Sequence, residues 1–564
     1  MIEPVNNFDD LCSNAVKAFL QTVVVIDNEA SLASDASINT NTEPTAATQR
    51  RPSAPGKVKA TEKAAVDPRT QRERNNNPAG HRLELNKVSQ AFAGEGLTCG
   101  VYLPTETDPA DDNQLLNATV RAILPTDACV LDWQLRKGNS RPATEAIKQV
   151  LNTDKAEGGR LRLILIYTAE KLEGASTTLA KALVSEGYEI KTDSPDTAPV
   201  IIGDHFRITF INKPTLGRNP SDDPAVVPWN LLPQRMIKEF TILARGLLRA
   251  FALESVAAVK RDIHRILAQF DEELDPVYAG DRATKPDPND AGRLMVEVLQ
   301  SELSLSIDAC QAEQKVLGLE SCMLWLHSRA GRLPQEKPVS AIKRTGELPK
   351  IKSINTETRK LFLTDGFRDV SSADGKHASV SCSFFDNEEK WKQYSSDYAV
   401  LTTIARHSGE RAGRPPGESP SLQFGTIIGS HEQTLLCIQP ACDTVRLRGE
   451  TGFLFLKLIP EDSEFDLVLP GSGNGTRYQI PDGYKFKHLR ELTTVHFKPL
   501  AEKDVILARN DDDGIYNFTD ACGAQWKWRA QLREMTAVHL AQKALHTIGR
   551  IGSNEFEWLR TSAK

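Results

Sequence analysis

The N-terminal part of this chain predicts an α/β fold, a flavodoxin-like doubly wound parallel sheet of five strands. Three observations predict it. Apolar runs such as Val23-Val24-Val25-Ile26 and Leu161-Arg162-Leu163-Ile164-Leu165-Ile166-Tyr167 are continuous rather than alternating, as in strands buried on both faces. Amphipathic helical patterns separate these runs, which is the rhythm of βαβ units. Polar and charged residues gather where each run stops, and doubly wound sheets carry their chemistry at the carboxyl ends of the strands.

The elements follow in order. Residues 8–20 read as a short amphipathic helix, and 23–26 as the first strand. Residues 31–80 are rich in Ser, Ala, Thr, Asn, Pro and Arg with almost no aromatics, a composition that buries too little surface to offset chain entropy. A disordered insertion is expected there. Helices are then expected over 84–94, 112–123, 142–152 and 174–187, and strands over 97–103, 128–131, 161–167 and 206–211. Residues 228–271 read as mostly helical, with Pro233 near the start, until "FDEELDPVYAG" breaks the pattern. Further helix is expected over 291–327, a surface connection over 331–356, strands in "GTIIGSHEQTLLCIQP" and "TGFLFLKLIP", and a long helix over 529–548. This divides the chain into an N-terminal domain over 1–225, a helical region over 226–330 and an α+β C-terminal domain over 331–564.

The 564 residues suffice for several domains, and 40% hydrophobic with 26% charged residues is ordinary for a globular protein. A net charge of -6 gives no electrostatic footprint for nucleic acid. The nine cysteines include no CxxC pair, so the usual zinc spacing is absent; their odd number in a long chain argues against a disulfide scaffold, and a reducing cytoplasm suits them. The first residues lack a basic segment followed by an apolar one, and no apolar run approaches the ~20 residues of a membrane span.

The informative residues lie at the strand ends. Asp27, Asn28 and Glu29 follow the first strand, Asp132 follows "ACVL", Thr168 ends "LILIY", and Lys213-Pro214 follow "FRITFIN". In a doubly wound sheet these loops converge, bringing together carboxylates, a hydroxyl and an ammonium. Phosphoryl transfer to a carboxylate uses that set: a nucleophilic Asp, oxygen ligands for a divalent cation, and donors to the remaining phosphoryl oxygens.

"VVVIDNEA", "ACVLDWQL", "YTAE" and "NKP", in this order, resemble the motifs of the response-regulator receiver family over roughly residues 18–230. The resemblance implies that Asp132 is the phosphoacceptor, an aspartyl phosphate in the modified protein. It implies Mg²⁺ held by Asp27, Asp132 and the backbone carbonyl of Gln134. It implies that Thr168 and Lys213 contact the phosphoryl group, that Thr168 and Phe210 switch on phosphorylation, and that a histidine kinase is the partner. Asn28 departs from the family, which usually has a further acid there, and a neutral amide lowers cation affinity. The insertion beside the active edge is a second departure.

"LESVAAVKRDIHRILAQFDEELDPVYAGDRA", "LLCIQPACDTVRL" and "RIGSNEFEWLR" resemble bacterial receiver proteins encoded beside Hsp90-type-fold histidine kinases in anti-phage defence, such as the receiver subunits of the Detocs two-component system. With no nucleotide-phosphorylase or nuclease motif in view, the resemblance favours the non-effector subunit, a phosphate sink or signal modulator. A second receiver-effector protein would then be a partner, with neither nucleic acid nor membrane. No enzymatic turnover is expected beyond gain and loss of the protein's own phosphoryl group. Two alternatives stay open: a receiver-controlled effector whose C-terminal domain is a hydrolase or nuclease, and a degenerate receiver that only binds protein.

Other features read more simply as structure. His264 on an amphipathic helix reads as a surface or packed histidine rather than a phosphorelay group. Cys437 and Cys442, near His431 and Asp443, have poor spacing for zinc. "GSGNG" at 471–475 reads as a turn, Asp511-Asp512-Asp513-Gly514 as a hairpin tip, and Trp526 and Trp528 as core.

Overall fold

The computed structural model describes residues 6–28, 85–342 and 351–548, apart from 105–111, 137, 196–197, 215–219, 221–222, 286, 367–379, 409–418, 463–464, 472–474, 481–491, 500–503 and 512–513. The expected insertion 31–80, Glu29, "RIGSNEFEWLR", most of the "GSGNG" turn and the middle of the Asp511–Gly514 tip lie outside the described residues. The chain forms two compact units, the second made of the residues from Arg329 onward together with the short stretch Ala156–Gly159.

In the first unit, α1 (Phe8–Phe19) starts at Asn7, whose side chain accepts the Asp10 N–H at 2.9 Å. Strands and helices then alternate: β1 (Thr22–Ile26), α2 (Leu85–Gly94), β2 (Thr98–Tyr102), α3 (Asp112–Ile123), β3 (Ala128–Leu131), α4 (Arg141–Ala156), β4 (Arg162–Thr168) and α5 (Leu172–Ser185). β5 (Lys191–Asp193), β6 (Val200–Ile202) and β7 (Phe206–Asn212) follow. The sheet order is β2-β1-β3-β4-β7-β6-β5. The strands β2, β1, β3, β4 and β7 pair in parallel, which is the expected flavodoxin-like order. β5 and β6 continue the sheet antiparallel beyond β7. That two-strand extension was not among the expected elements.

Side-chain alternation sorts these strands between two cores. Val23, Val25, Val130, Leu163, Leu165 and Ile211 face one layer, with α1 and α2 over it. Val24, Ile26, Leu131, Ile164, Ile166, Ile208 and Phe210 face the other, under α3, α4 and α5. Burial on both faces is why these runs are continuously apolar.

The helical stretch holds α6 (Leu232–Leu243), α7 (Leu247–Leu267), α8 (Asp275–Thr284), α9 (Asn289–Ala309), α10 (Ala312–Leu317) and α11 (Leu319–Ser328). These fall within the first unit, and α6 and α7 close the core shared with α1 and the sheet. The mostly helical stretch expected over 228–271 is interrupted at Gly246, whose φ of 154° only glycine adopts readily. That expected over 291–327 breaks at Gln311, in the left-handed region at φ 53°. His264 is an exposed residue of α7.

In the second unit, β8 (Glu336–Ile342) and β9 (Ile351–Asn355) form an antiparallel pair. Of the connection expected over 331–356, the described residues are therefore largely strand. α12 (Thr356–Asp365) and α13 (Glu388–Thr403) follow. Ten further strands build one antiparallel sheet: β10 (Ile404–His407), β11 (Thr426–Gly429), β12 (Thr434–Cys437), β13 (Thr451–Pro460), β14 (Leu467–Leu469), β15 (Thr476–Gln479), β16 (Leu492–Phe497), β17 (Arg509–Asn510), β18 (Tyr516–Thr519) and β19 (Gln525–Leu532). α14 (Glu534–Ile548) packs Ala537, Leu540 and Ala541 into the core on one face. The long helix expected over 529–548 thus starts later, because 529–532 complete β19. Phe453, Phe455, Phe497, Trp526 and Trp528 fill the core on the other face. Cys437 is buried in that second core and Cys442 is exposed. Among the described residues no helix is long and apolar enough to cross a membrane.

Candidate functional site

The carboxyl ends of β1, β3, β4 and β7 are level by register: Ile26 pairs with Leu131, Leu131 with Ile166, and Ile166 with Phe210. The next residues on each strand therefore meet at one edge. Asp132 donates its backbone N–H to Ile26 O at 2.8 Å, which seats it beside Asp27.

Lys213 joins the two acids. Its Nζ lies 2.5 Å from Asp132 Oδ2 and 2.8 Å from Asp27 Oδ2. The other Asp132 oxygen, Oδ1, accepts the Gln134 backbone N–H at 3.1 Å. All three charged residues are buried, Asp27 at 2%, Asp132 at 6% and Lys213 at 3% exposure. Two carboxylates against one ammonium leave a negative charge in a buried place. Burial accordingly pushes the Asp132 carboxyl up to about 6, with Lys213 pulling it down and Asp27 pushing it further up. Burial pulls the Lys213 ammonium down, but Asp27 and Asp132 together outweigh that and hold it above its ordinary range. Its Nζ also stands 5.8 Å over the Tyr167 ring.

Thr168 is buried at the end of β4, and its Oγ1 accepts the Glu170 N–H at 3.2 Å. Its carbonyl accepts the Lys213 N–H at 2.9 Å, so the hydroxyl loop and the lysine are joined through backbone. Phe210 is fully buried, with its ring edge-on to Trp133 at 6.3 Å. Gln134 follows Asp132 by two residues and its side chain donates to Glu170 Oε1. Asn28 sits half-buried in the turn after β1. Asp27, Asp132, Thr168 and Lys213 are thus brought together, with Gln134 at the rim and Phe210 in the core beneath.

The donor set suits a hard dication. Mg²⁺ takes oxygen ligands and commonly one or two carboxylates plus water, and the surplus negative charge of Asp27 and Asp132 supplies the attraction. No cluster of three or more His, Cys, Asp or Glu able to hold a metal exists among the described residues. A two-carboxylate site completed by carbonyl and water falls below that size. An open depression lined by Trp133, Ser140, Glu170, Lys171, Ala175 and Thr178 adjoins the edge.

Two side chains that the sequence reading passed over belong here. Asn212 donates from Nδ2 to Thr168 O at 2.9 Å and to Glu170 O at 2.8 Å. Tyr167 Oη donates to Val227 O at 2.8 Å, and burial, then Asp27 and Asp132, push its phenol well up, so it stays protonated. The available signal for Asn212 was a polar residue ending the otherwise apolar run "FRITFIN".

The parallel order β2-β1-β3-β4-β7 with two acids and a lysine at its carboxyl edge is the arrangement of the receiver class of α/β domain. Residues 19–218 match the family model described as "Response receiver domain", and the chain carries such a domain. No curated protein and no solved structure matched the chain.

Proposed function

We propose that this protein is a response regulator in which Asp132 accepts a phosphoryl group from the phosphohistidine of a histidine kinase. The observation that carries the reading is the ammonium of Lys213 spanning Asp27 and Asp132 at 2.8 and 2.5 Å at the carboxyl edge of the sheet. A carboxylate oxygen of Asp132 attacks phosphorus, the P–N bond to the donor histidine breaks, and an acyl phosphate forms. Lys213, already held against the acceptor, donates to a phosphoryl oxygen. Thr168 gives up the Glu170 N–H and turns its hydroxyl to another. Asp27, Asp132 and the carbonyl of Gln134 would hold Mg²⁺, which offsets charge gathering on the phosphoryl oxygens. Hydrolysis of the acyl phosphate by water returns the carboxylate, and the reading gives the protein no other turnover.

The finer role assigned is a phosphate sink or signal modulator in an anti-phage two-component system, acting alongside a second receiver that carries the effector, in the cytoplasm. The support is the resemblance of 253–283 and 435–447 to such proteins. Incubating the protein with kinase and labelled ATP, wild type against Asp132→Ala, tests the acceptor. Label on wild type alone is expected, and equal label on both ends the claim.

A further inference from the structure

We infer that Asn212 is the positioning residue for the Thr168 hydroxyl, an inference that rests on the receiver reading above. Thr168 reaches a phosphoryl group only if the turn 168–170 that carries it stays in place while its side chain rotates. The Lys213 N–H holds the first end of that turn through Thr168 O at 2.9 Å, and one carboxamide spans both ends. Asn212 Nδ2 has two hydrogens, and they go to Thr168 O at 2.9 Å and Glu170 O at 2.8 Å, the two ends of the turn. Asn212 is 4% exposed, so no water substitutes readily for it.

The backbone of the same residue is fixed independently. Its N–H donates to Ala225 O at 2.8 Å, and its carbonyl accepts the Val227 N–H at 3.0 Å. Val226 is thereby laid parallel against Asn212 as a bridge beyond the strand end. Tyr167, just before Thr168, anchors the same segment through Val227 O at 2.8 Å. Asn212 therefore cannot follow the turn if the turn moves. It makes the Thr168 response a rotation about the side chain, away from the Glu170 N–H at 3.2 Å, with the backbone held. None of the atoms that would hold Mg²⁺ touches the carboxamide, so metal binding and phosphoryl binding should separate on substitution.

The test uses the full chain, with Mg²⁺ titrated first and beryllofluoride added at saturating Mg²⁺ as the phosphoryl mimic, both read as thermal shift. Asn212→Ala should bind Mg²⁺ as wild type does and bind beryllofluoride at least roughly tenfold more weakly, the scale of a misplaced catalytic group. If Asn212→Ala does not melt cooperatively, Asn212→Thr, with one donor on a stem suited to a strand, takes its place with a smaller loss in the same direction. A variant that binds beryllofluoride as tightly as wild type overturns the inference alone. Equal losses of Mg²⁺ and beryllofluoride affinity also overturn it, because they mark a general loosening of the edge. A wild type indifferent to beryllofluoride overturns the receiver reading and this inference with it.

Discussion

The Asp132 carboxyl lies where its own charge is unwelcome, and this has a measurable consequence. Its pKa is raised from 3.8 to about 6, chiefly by burial. A carboxyl that binds its proton more tightly when folded stabilises the fold in its neutral form. That contribution is complete below about 3.8 and is lost as pH rises through about 6. Asp132→Asn, permanently neutral, should therefore raise the metal-free melting temperature at pH 7.5, by ~1–3 kcal/mol of stability, and the gain should close as pH falls toward ~4. Thermal melts of both proteins across that range check it, and a variant less stable than wild type at pH 7.5 contradicts it. At this scale the site was largely legible, because Asp27, Asp132, Thr168 and Lys213 each close an apolar run and the sheet does the rest. Asn212 was not singled out, since its significance lies in carbonyls of another loop. The switch role of Phe210 is indistinguishable by sequence from core packing, and the ring is wholly buried.

Elements carry information that individual residues do not. On β7, Arg207 and Thr209 turn away from the Phe210 face and meet Glu239 of α6. Arg207 Nε donates to Glu239 Oε2 at 2.7 Å, and Thr209 Oγ1 donates to the same oxygen at 3.1 Å. Arg235 Nε lies 2.9 Å from Oε1, an ion pair without hydrogen-bond alignment. One carboxylate thus fastens the helix after the site to the strand that ends in Asn212 and leads into Lys213. Glu239→Ala strands the buried Arg207 guanidinium and should cost ~3–5 kcal/mol, read by denaturant unfolding. A loss under ~1 kcal/mol would mean Arg207 finds water or another acceptor. In β19 the sequence alternates evenly, yet Trp526 and Trp528 enter one core while Ala530 and Leu532 enter the other. A register shift explains it: Ile428 pairs with Trp528 and Ile427 with Ala530, leaving Arg529 as the extra residue of a bulge. Periodicity cannot show a bulge, and 529–532 therefore reads from sequence as the start of the helix that follows. β5 and β6, three residues each, were too short to show a pattern.

At the scale of the whole chain, each unit closes its own hydrophobic cores, and only the first holds the candidate site. Trp528, 2% exposed in the second unit, should cost ~3–5 kcal/mol when cut to Ala. Calorimetry should show that loss in a transition whose midpoint ignores Mg²⁺, while the Mg²⁺-dependent rise expected of the first unit persists. Disappearance of that rise in Trp528→Ala would contradict the assignment. The α/β half was readable because buried parallel strands are continuously apolar. In the second unit the strands β11, β12 and β13 were readable as well, but the sheet order was not, because it depends on pairings distant in sequence, such as β11 with β19. The central claim, that Asp132 takes a phosphoryl group, is tested most directly by intact-mass spectrometry after exposure to a small acyl phosphate and Mg²⁺. The account predicts a single phosphoryl group on the wild type, removed by hydroxylamine as an acyl phosphate is, and none on Asp132→Asn. A phosphoryl group added equally to both proteins, or to neither, would contradict it.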